Sequence, residues 1–161
     1  FLEEEPNLLL RDNVKMHFTA SAWVLNPSKD KVLMLYHNIY QSWSWSGGHA
    51  DGEGDLLSVA MKEVKEESGL VSLKPLSDSP ISIEILGVQP HYKKQKYVSA
   101  HLHLNYTFLL HNTKEEKLKI CPEENSKVGW LSPDEAVRSS TEAWMKPIYK
   151  KLNQKMRKYL G

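Results

Sequence analysis

"SWSWSGGHADGEGDLLSVAMKEVKEESGL", residues 42–70, decides how this chain is read. A glycine-rich loop over 44–54 leads into a stretch with Asp55 at an N-cap position and Gly69 at C′, so the spacing predicts a helix over 55–68. At about 100° per residue, Leu56, Leu57, Ala60, Met61 and Val64 share one arc, which faces a core. Glu63, Glu66 and Glu67 gather at the edge of that arc in the last turns. By periodicity position 67 should be apolar, because it lies three residues after Val64 and seven after Ala60. The C-terminal end of a helix carries partial negative charge, and Glu63–Glu66 and Glu63–Glu67 repel by roughly 0.2–0.5 kcal/mol per pair. A solvated face with Lys62 paired to Glu66 accounts for one acid, but not for three at the core-side edge of the wrong helix end. A hard divalent cation accounts for all of them, since it is bound by convergent carboxylate oxygens and keeps places for water and phosphate. The glycines beside the acids permit close backbone approach, so a metal-bound phosphate fits between loop and helix.

The surroundings of this stretch are those of one globular unit. The chain has 161 residues, the length of a single domain spanning 1–161. Twenty-one Lys and Arg against 20 Asp and Glu leave a formal charge of +1, too weak a field to indicate nucleic acid or a membrane as partner. One cysteine, Cys121, excludes an internal disulfide and indicates a reducing cytoplasm. No signal-peptide core or spanning apolar run is present. "FLEEEPN" reads as the remainder of an N-terminal helix. "HFTASAWVLNP" and "KVLMLYHN" form a hairpin around "NPSKD". "ISIEILGV" and "VSAHLHLNYTFLL" follow as strands. On the second, Val98, Ala100, Leu102, Leu104, Tyr106 and Phe108 define a core face, and Ser99, His101, His103, Asn105 and Thr107 a polar one. "KVGWLSPDEAV" is a strand running into a short helix with Ser132, Pro133 and Glu135 in capping positions, and a last helix covers about 147–159. Strands with interspersed helices give an α/β chain with a mixed sheet covered by helices.

"GGHADGEGDLLSVAMKEVKEESGL" resembles the Nudix box: Gly, five residues, Glu, seven residues, Arg-Glu, an aliphatic, any residue, Glu-Glu, any residue, Gly, an aliphatic. Gly48 takes the first Gly, Glu63 the Glu after the Arg, Val64 the aliphatic, Glu66 and Glu67 the paired acids, and Gly69-Leu70 the end. The upstream Glu falls on Gly54, with Glu53 one place early, and the Arg is Lys62, which lacks the planar fork of a guanidinium. The resemblance implies a Nudix fold, an α/β/α sandwich with a mixed sheet, and a MutT-like hydrolase. Such an enzyme is a pyrophosphohydrolase that cleaves the diphosphate linkage of a nucleoside diphosphate derivative with Mg²⁺ or Mn²⁺. It also implies Gly48, Glu63, Glu66 and Glu67 as metal ligands, with the three acids as the catalytic set and Glu63 as ligand or as the base that orients water. Glu84, Glu123 and Glu124 are further candidates for that base. The partner is then a small nucleotide-type molecule, and a homodimer stays open.

Other candidates for substrate contact are His49 in the loop, His101 and His103 on the polar strand face, which can either touch phosphate or simply face solvent or hydrogen-bond, and Trp45, which with Trp43 can stack on a base. Packing at the core or rim serves both tryptophans equally well. Two histidines at i,i+2 without nearby Cys are poor evidence for zinc. A catalytically weak nucleotide-binding or regulatory module is the rival reading, supported by Gly54 and Lys62. An isoprenyl diphosphate isomerase ranks last, because Cys121 lies away from the box.

Overall fold

The computed structural model describes residues 7–161, so the helix read into "FLEEEPN" lies, for residues 1–6, outside the described part. "MHFTASAWVL" is a run buried almost throughout, and it forms strand β1, Met16–Leu25, at the centre of the sheet. β2 follows at Val32–His37 and pairs antiparallel with β1 at Leu25↔Val32. The predicted hairpin turn is closed by Asn26, whose Oδ1 accepts from the backbone N–H groups of Asp30 and Lys31, both at 2.9 Å. "SWS" and "SGGH" form two short strands, β3, Ser42–Ser44, and β4, Ser46–His49, in part of the segment expected to be loop. Glycine disfavours strands in general, yet β4 lies so close to β1 that a Cβ at Gly47 would stand 2.7 Å from Ser21 Oγ and 2.9 Å from the Ala20 carbonyl oxygen. Close packing of two backbones, and not chain flexibility, is what glycine supplies there.

Helix α1, Leu56–Ser68, is bounded as predicted, with the Asp55 side chain accepting from Ser58 N–H and Gly69 left-handed at φ 78°. After it come β5 (Leu73–Pro75), β6 (Ser82–Val88), β7 (His91–Lys93), β8 (Lys96–Val98) and β9 (His101–Asn112). β10 (Asn125–Leu131), α2 (Pro133–Arg138) and α3 (Lys146–Leu160) complete the chain. The capping box at Ser132 and Glu135 is present. The main sheet has the order β10-β2-β1-β9-β5, with β3 on β2, β4 on β1 and β6 on β9. β1 and β9 run parallel and the other pairs of this sheet antiparallel, so the sheet is mixed, and β7 and β8 form a separate hairpin. Among the described residues no helix is long and apolar enough to cross a membrane.

Alternation along β1 builds two cores. Ala20, Ala22 and Val24 pack with Val59, Ala60 and Val64 of α1 on one face. Trp23 and Leu25 pack with Ala136 of α2 and Tyr149, Leu152 and Met156 of α3 on the other. The result is the α/β/α sandwich that the resemblance implied. The strand of 98–110 breaks at Ser99 and Ala100, so Val98 ends β8 and β9 begins at His101. Its face assignment also needs correction: Asn105 and Thr107 are buried, while Leu102 is exposed. From Asn105 to Asn112 both faces of β9 are largely covered, and the polar side chains satisfy one another. Asn105 Oδ1 accepts from Thr19 Oγ1 at 2.9 Å and Ser21 Oγ at 2.8 Å, and its Nδ2 donates to Thr107 Oγ1 at 3.1 Å. Asn105→Ala strands these hydroxyls in a buried site. It should lower the unfolding free energy by about 2 kcal/mol, within the range for buried unsatisfied groups. Ser126→Ala, at an exposed position, should leave denaturant midpoints within error of wild type.

Candidate active site

Glu67 lies on the inner side of α1 with only 5% of its surface exposed. Its Oε1 accepts from Ser46 Oγ at 2.9 Å and from Gly47 N–H at 3.1 Å, which ties the end of α1 to the start of β4. One turn earlier, Glu63 faces the next residue of β4, where even a methyl group at Gly48 would collide with its carboxyl group. The register Ala20↔Gly48 explains this, because Ala20 points toward α1 and its neighbour in β4 shares that face. β4 and α1 thus meet through two bare glycines on one side and two inward carboxyl groups on the other.

Burial is the dominant force on these acids. It pushes Glu67 up to about 8, the two hydrogen bonds opposing and the charge of Glu63 adding. Burial followed by repulsion from Glu66 pushes Glu63 up to about 7, with Lys62 opposing. Glu66 itself is turned outward and exposed, 3.8 Å from Lys62 Nζ. Of the three acids the sequence singled out, then, the fold turns Glu63 and Glu67 inward together and leaves Glu66 at the rim. Lys62 is placed on Glu66 and does not clamp Glu63.

Gly54 sits in open space and brings no carboxylate. Glu53 is exposed and accepts from Asp55 N–H at 2.8 Å, a local bond at the entry to α1. Among the candidate bases, Glu124 raises both Glu63 and Glu67 through its charge, and its neighbour Asn125 donates to the Glu67 carbonyl oxygen at 3.0 Å. Glu123 is exposed. Glu84 stands apart on β6, accepting from Ser82 Oγ at 2.6 Å and paired with Lys151 of α3.

The aromatic candidates are part of the packing: Trp45 meets Tyr149 edge-on at 5.5 Å and donates its backbone N–H to the Tyr149 hydroxyl, and Trp43 meets Tyr36 at 5.9 Å. His49, His101 and His103 do come together, and His17 of β1 joins them. His17 lies 5.0 Å from His49, 4.9 Å from His101 and 5.0 Å from His103, centroid to centroid. Sequence reading missed His17, although it sits two residues before Thr19 on the β1 face that the parallel register sets beside His103. Burial lowers His49 to about 3 and His103 to about 2, and lowers His17 as well. The charge of Arg11 adds to the lowering of His49 and His17, and that of Asp51, which Arg11 holds in a bidentate pair at 2.8 and 2.6 Å, opposes it.

Residues 15–152 match the family described as NUDIX domain. No curated protein matches the chain in sequence. Among solved structures, an Ap4A hydrolase of C. elegans in binary complex is 18% identical, with a TM-score of 0.64 over 85% of this chain and 95% of its own. A NUDIX-family hydrolase from Clostridium perfringens is 18% identical, with a TM-score of 0.63 over 88% and 96%. The E. coli dihydroneopterin triphosphate pyrophosphohydrolase is 16% identical, with a TM-score of 0.59 over 83% and 92%. At these identities the likeness establishes the fold alone. The match over 15–152, together with the box at Gly48–Leu70, establishes that the chain belongs to the Nudix family of MutT-like hydrolases.

Proposed function

We propose that the protein is a divalent-metal-dependent pyrophosphohydrolase acting on the diphosphate linkage of a small nucleoside diphosphate derivative. The observation that carries this reading is the pair of inward carboxyl groups, Glu63 and Glu67, set against the bare backbone of Gly47 and Gly48. The donor set fits Mg²⁺ or Mn²⁺: carboxylate oxygens suit a hard ion, and both acids have a raised proton affinity that a nearby cation would reverse. Such an ion, when bound, offsets negative charge on phosphate oxygens and acidifies water. Glu67 would be a ligand held in place by Ser46 and Gly47, Glu63 a ligand or proton acceptor, and Glu66 an outer contributor at the rim. Glu124 is the best-placed further base, because its charge reaches both buried acids. The solved relatives named for hydrolysing Ap4A and dihydroneopterin triphosphate support a small polyphosphorylated substrate.

The rival reading, a nucleotide-binding module with weak catalysis, draws on Glu53 being spent on a local bond and Lys62 lying on Glu66. A panel of nucleoside diphosphate derivatives separates the two. An enzyme should release product from at least one of them in Mg²⁺ or Mn²⁺, stop in excess chelator and recover on adding metal. A binding module would show saturable nucleotide binding without turnover.

Glu67→Gln tests the site through both stability and rate. A carboxyl group raised in the fold from its ordinary value of 4.5 to about 8 keeps a proton that the unfolded chain releases. Stability of the metal-free protein should therefore fall as pH rises between those values and level off above them. The amide keeps a carbonyl oxygen for Ser46 and Gly47 but does not titrate. In chelator at pH 8, Glu67→Gln should melt at or above wild type, with a flatter pH dependence. In Mg²⁺ the wild type should gain stability by mass action and the variant much less. Turnover should fall at least about a hundredfold, the scale of losing one group that stabilises transition-state charge. A destabilised apo variant with wild-type turnover would refute the assignment. Lys62→Arg should change melting and turnover little, since an exposed ion pair is worth about 0–1 kcal/mol. A collapse of activity in a folded Lys62→Arg protein would give Lys62 a role of its own.

A further inference from the structure

We propose that His17, His49 and His103 form a binding site for a borderline divalent transition-metal ion of the zinc class, on the opposite face of the sheet from Glu63 and Glu67. One ligand atom from each ring lies within 4.8 Å of the others, and no other group of His, Cys, Asp or Glu among the described residues converges in this way. The three residues come from three strands, β1, β4 and β9. The register that pairs His17 with His103 and Thr19 with His49 brings them together. Ligands about 2.0–2.1 Å from a tetrahedral zinc stand about 3.4 Å apart, so modest side-chain rotations close the group around an ion.

His17 gives a second, independent indication. Only 4% of its surface is exposed, and its Nδ1 lies 3.0 Å from the Asn13 carbonyl oxygen. A carbonyl only accepts, so Nδ1 carries the proton and the lone pair of a neutral ring is at Nε2. That Nε2 is sealed from solvent and has no hydrogen-bond partner. Leaving a buried polar atom unsatisfied is costly, and a ring fixed by an Nδ1–H to carbonyl bond is the form in which histidine presents Nε2 to a metal. His103 is braced similarly, its Nε2 lying 3.0 Å from Nε2 of His101, whose Nδ1 donates to the Ser99 carbonyl oxygen at 2.8 Å.

The chemistry of the group selects the ligand. Phosphate would call for charged rings, and three imidazoles converging within 4.8 Å, one of them with only 4% of its surface exposed, would repel one another if charged. Neutral imidazoles are soft enough for zinc, cobalt or nickel and poor partners for Mg²⁺, while carboxylates have the reverse preference. Gly48 and His49 are adjacent, but alternation along β4 sends them to opposite faces, so the carboxylate and imidazole groups are separate sites.

Co²⁺ is the probe, because its visible bands intensify in four- or five-coordinate nitrogen sites. With excess Mg²⁺ present to occupy carboxylates, wild type should bind one equivalent of Co²⁺ with such bands, and Glu67→Gln should do the same. His17→Ala and His103→Ala should bind at least tenfold more weakly. Folded wild type with one equivalent of Zn²⁺ should also show displaced imidazole nitrogen resonances for His17, His49 and His103, a reading that does not depend on any variant folding. Unchanged Co²⁺ binding in folded histidine variants, or imidazole resonances indifferent to Zn²⁺, would overturn the proposal. Because no readout is turnover, its failure leaves the carboxylate reading untouched.

Discussion

The parallel pairing of β1 with β9, unbroken from Met16↔Leu102 to Leu25↔His111, is the constraint on which the rest of the molecule depends. Parallel strands are joined by long connections, so the chain between them must carry α1 out and back before β9 can form. Once the register is set, alternation distributes every side chain of both strands. Ala20, Ala22 and Val24 receive α1, Trp23 and Leu25 receive α3, and the polar residues from His17 to Ser21 fall beside His103, Asn105 and Thr107. A slip of one residue would exchange the two faces, burying the wrong set under each helix.

At Glu67 two opposing effects can be weighed. Two hydrogen bonds to the carboxyl group favour its ionised form, yet removal from water outweighs them and the proton stays bound near neutrality. The same residue is therefore a neutral structural link between α1 and β4 in one condition and a source of negative charge in another. Geometry at the helix end is maintained in both, because Ser46 and Gly47 can donate to the oxygen either way.

Much of this was legible in the sequence, and for identifiable reasons. The limits of α1 follow from Asp55 and Gly69, whose capping preferences are local, and the capping box at Ser132 is equally local. The anomaly at Glu67 was visible because helical periodicity is strict. β4 was not legible, because a glycine selected for backbone contact looks the same in sequence as a glycine selected for a turn. The buried state of Asn105 and Thr107 was hidden for a related reason: polar residues read as solvent-facing until the partner strand supplies Thr19 and Ser21. His17 was missed because its neighbours in space, His49 and His103, are distant in the chain and meet it only through sheet register.

β4 is four residues long and is flanked by β1 on one edge. It is also a party wall: Gly47 and Gly48 are in contact with the acids of α1, and His49 stands among the imidazoles behind. A shift of β4 along β1 moves the backbone under Glu63 and Glu67 and the backbone that carries His49 together. The two sides of the sheet are thus joined through a single peptide link, that between Gly48 and His49.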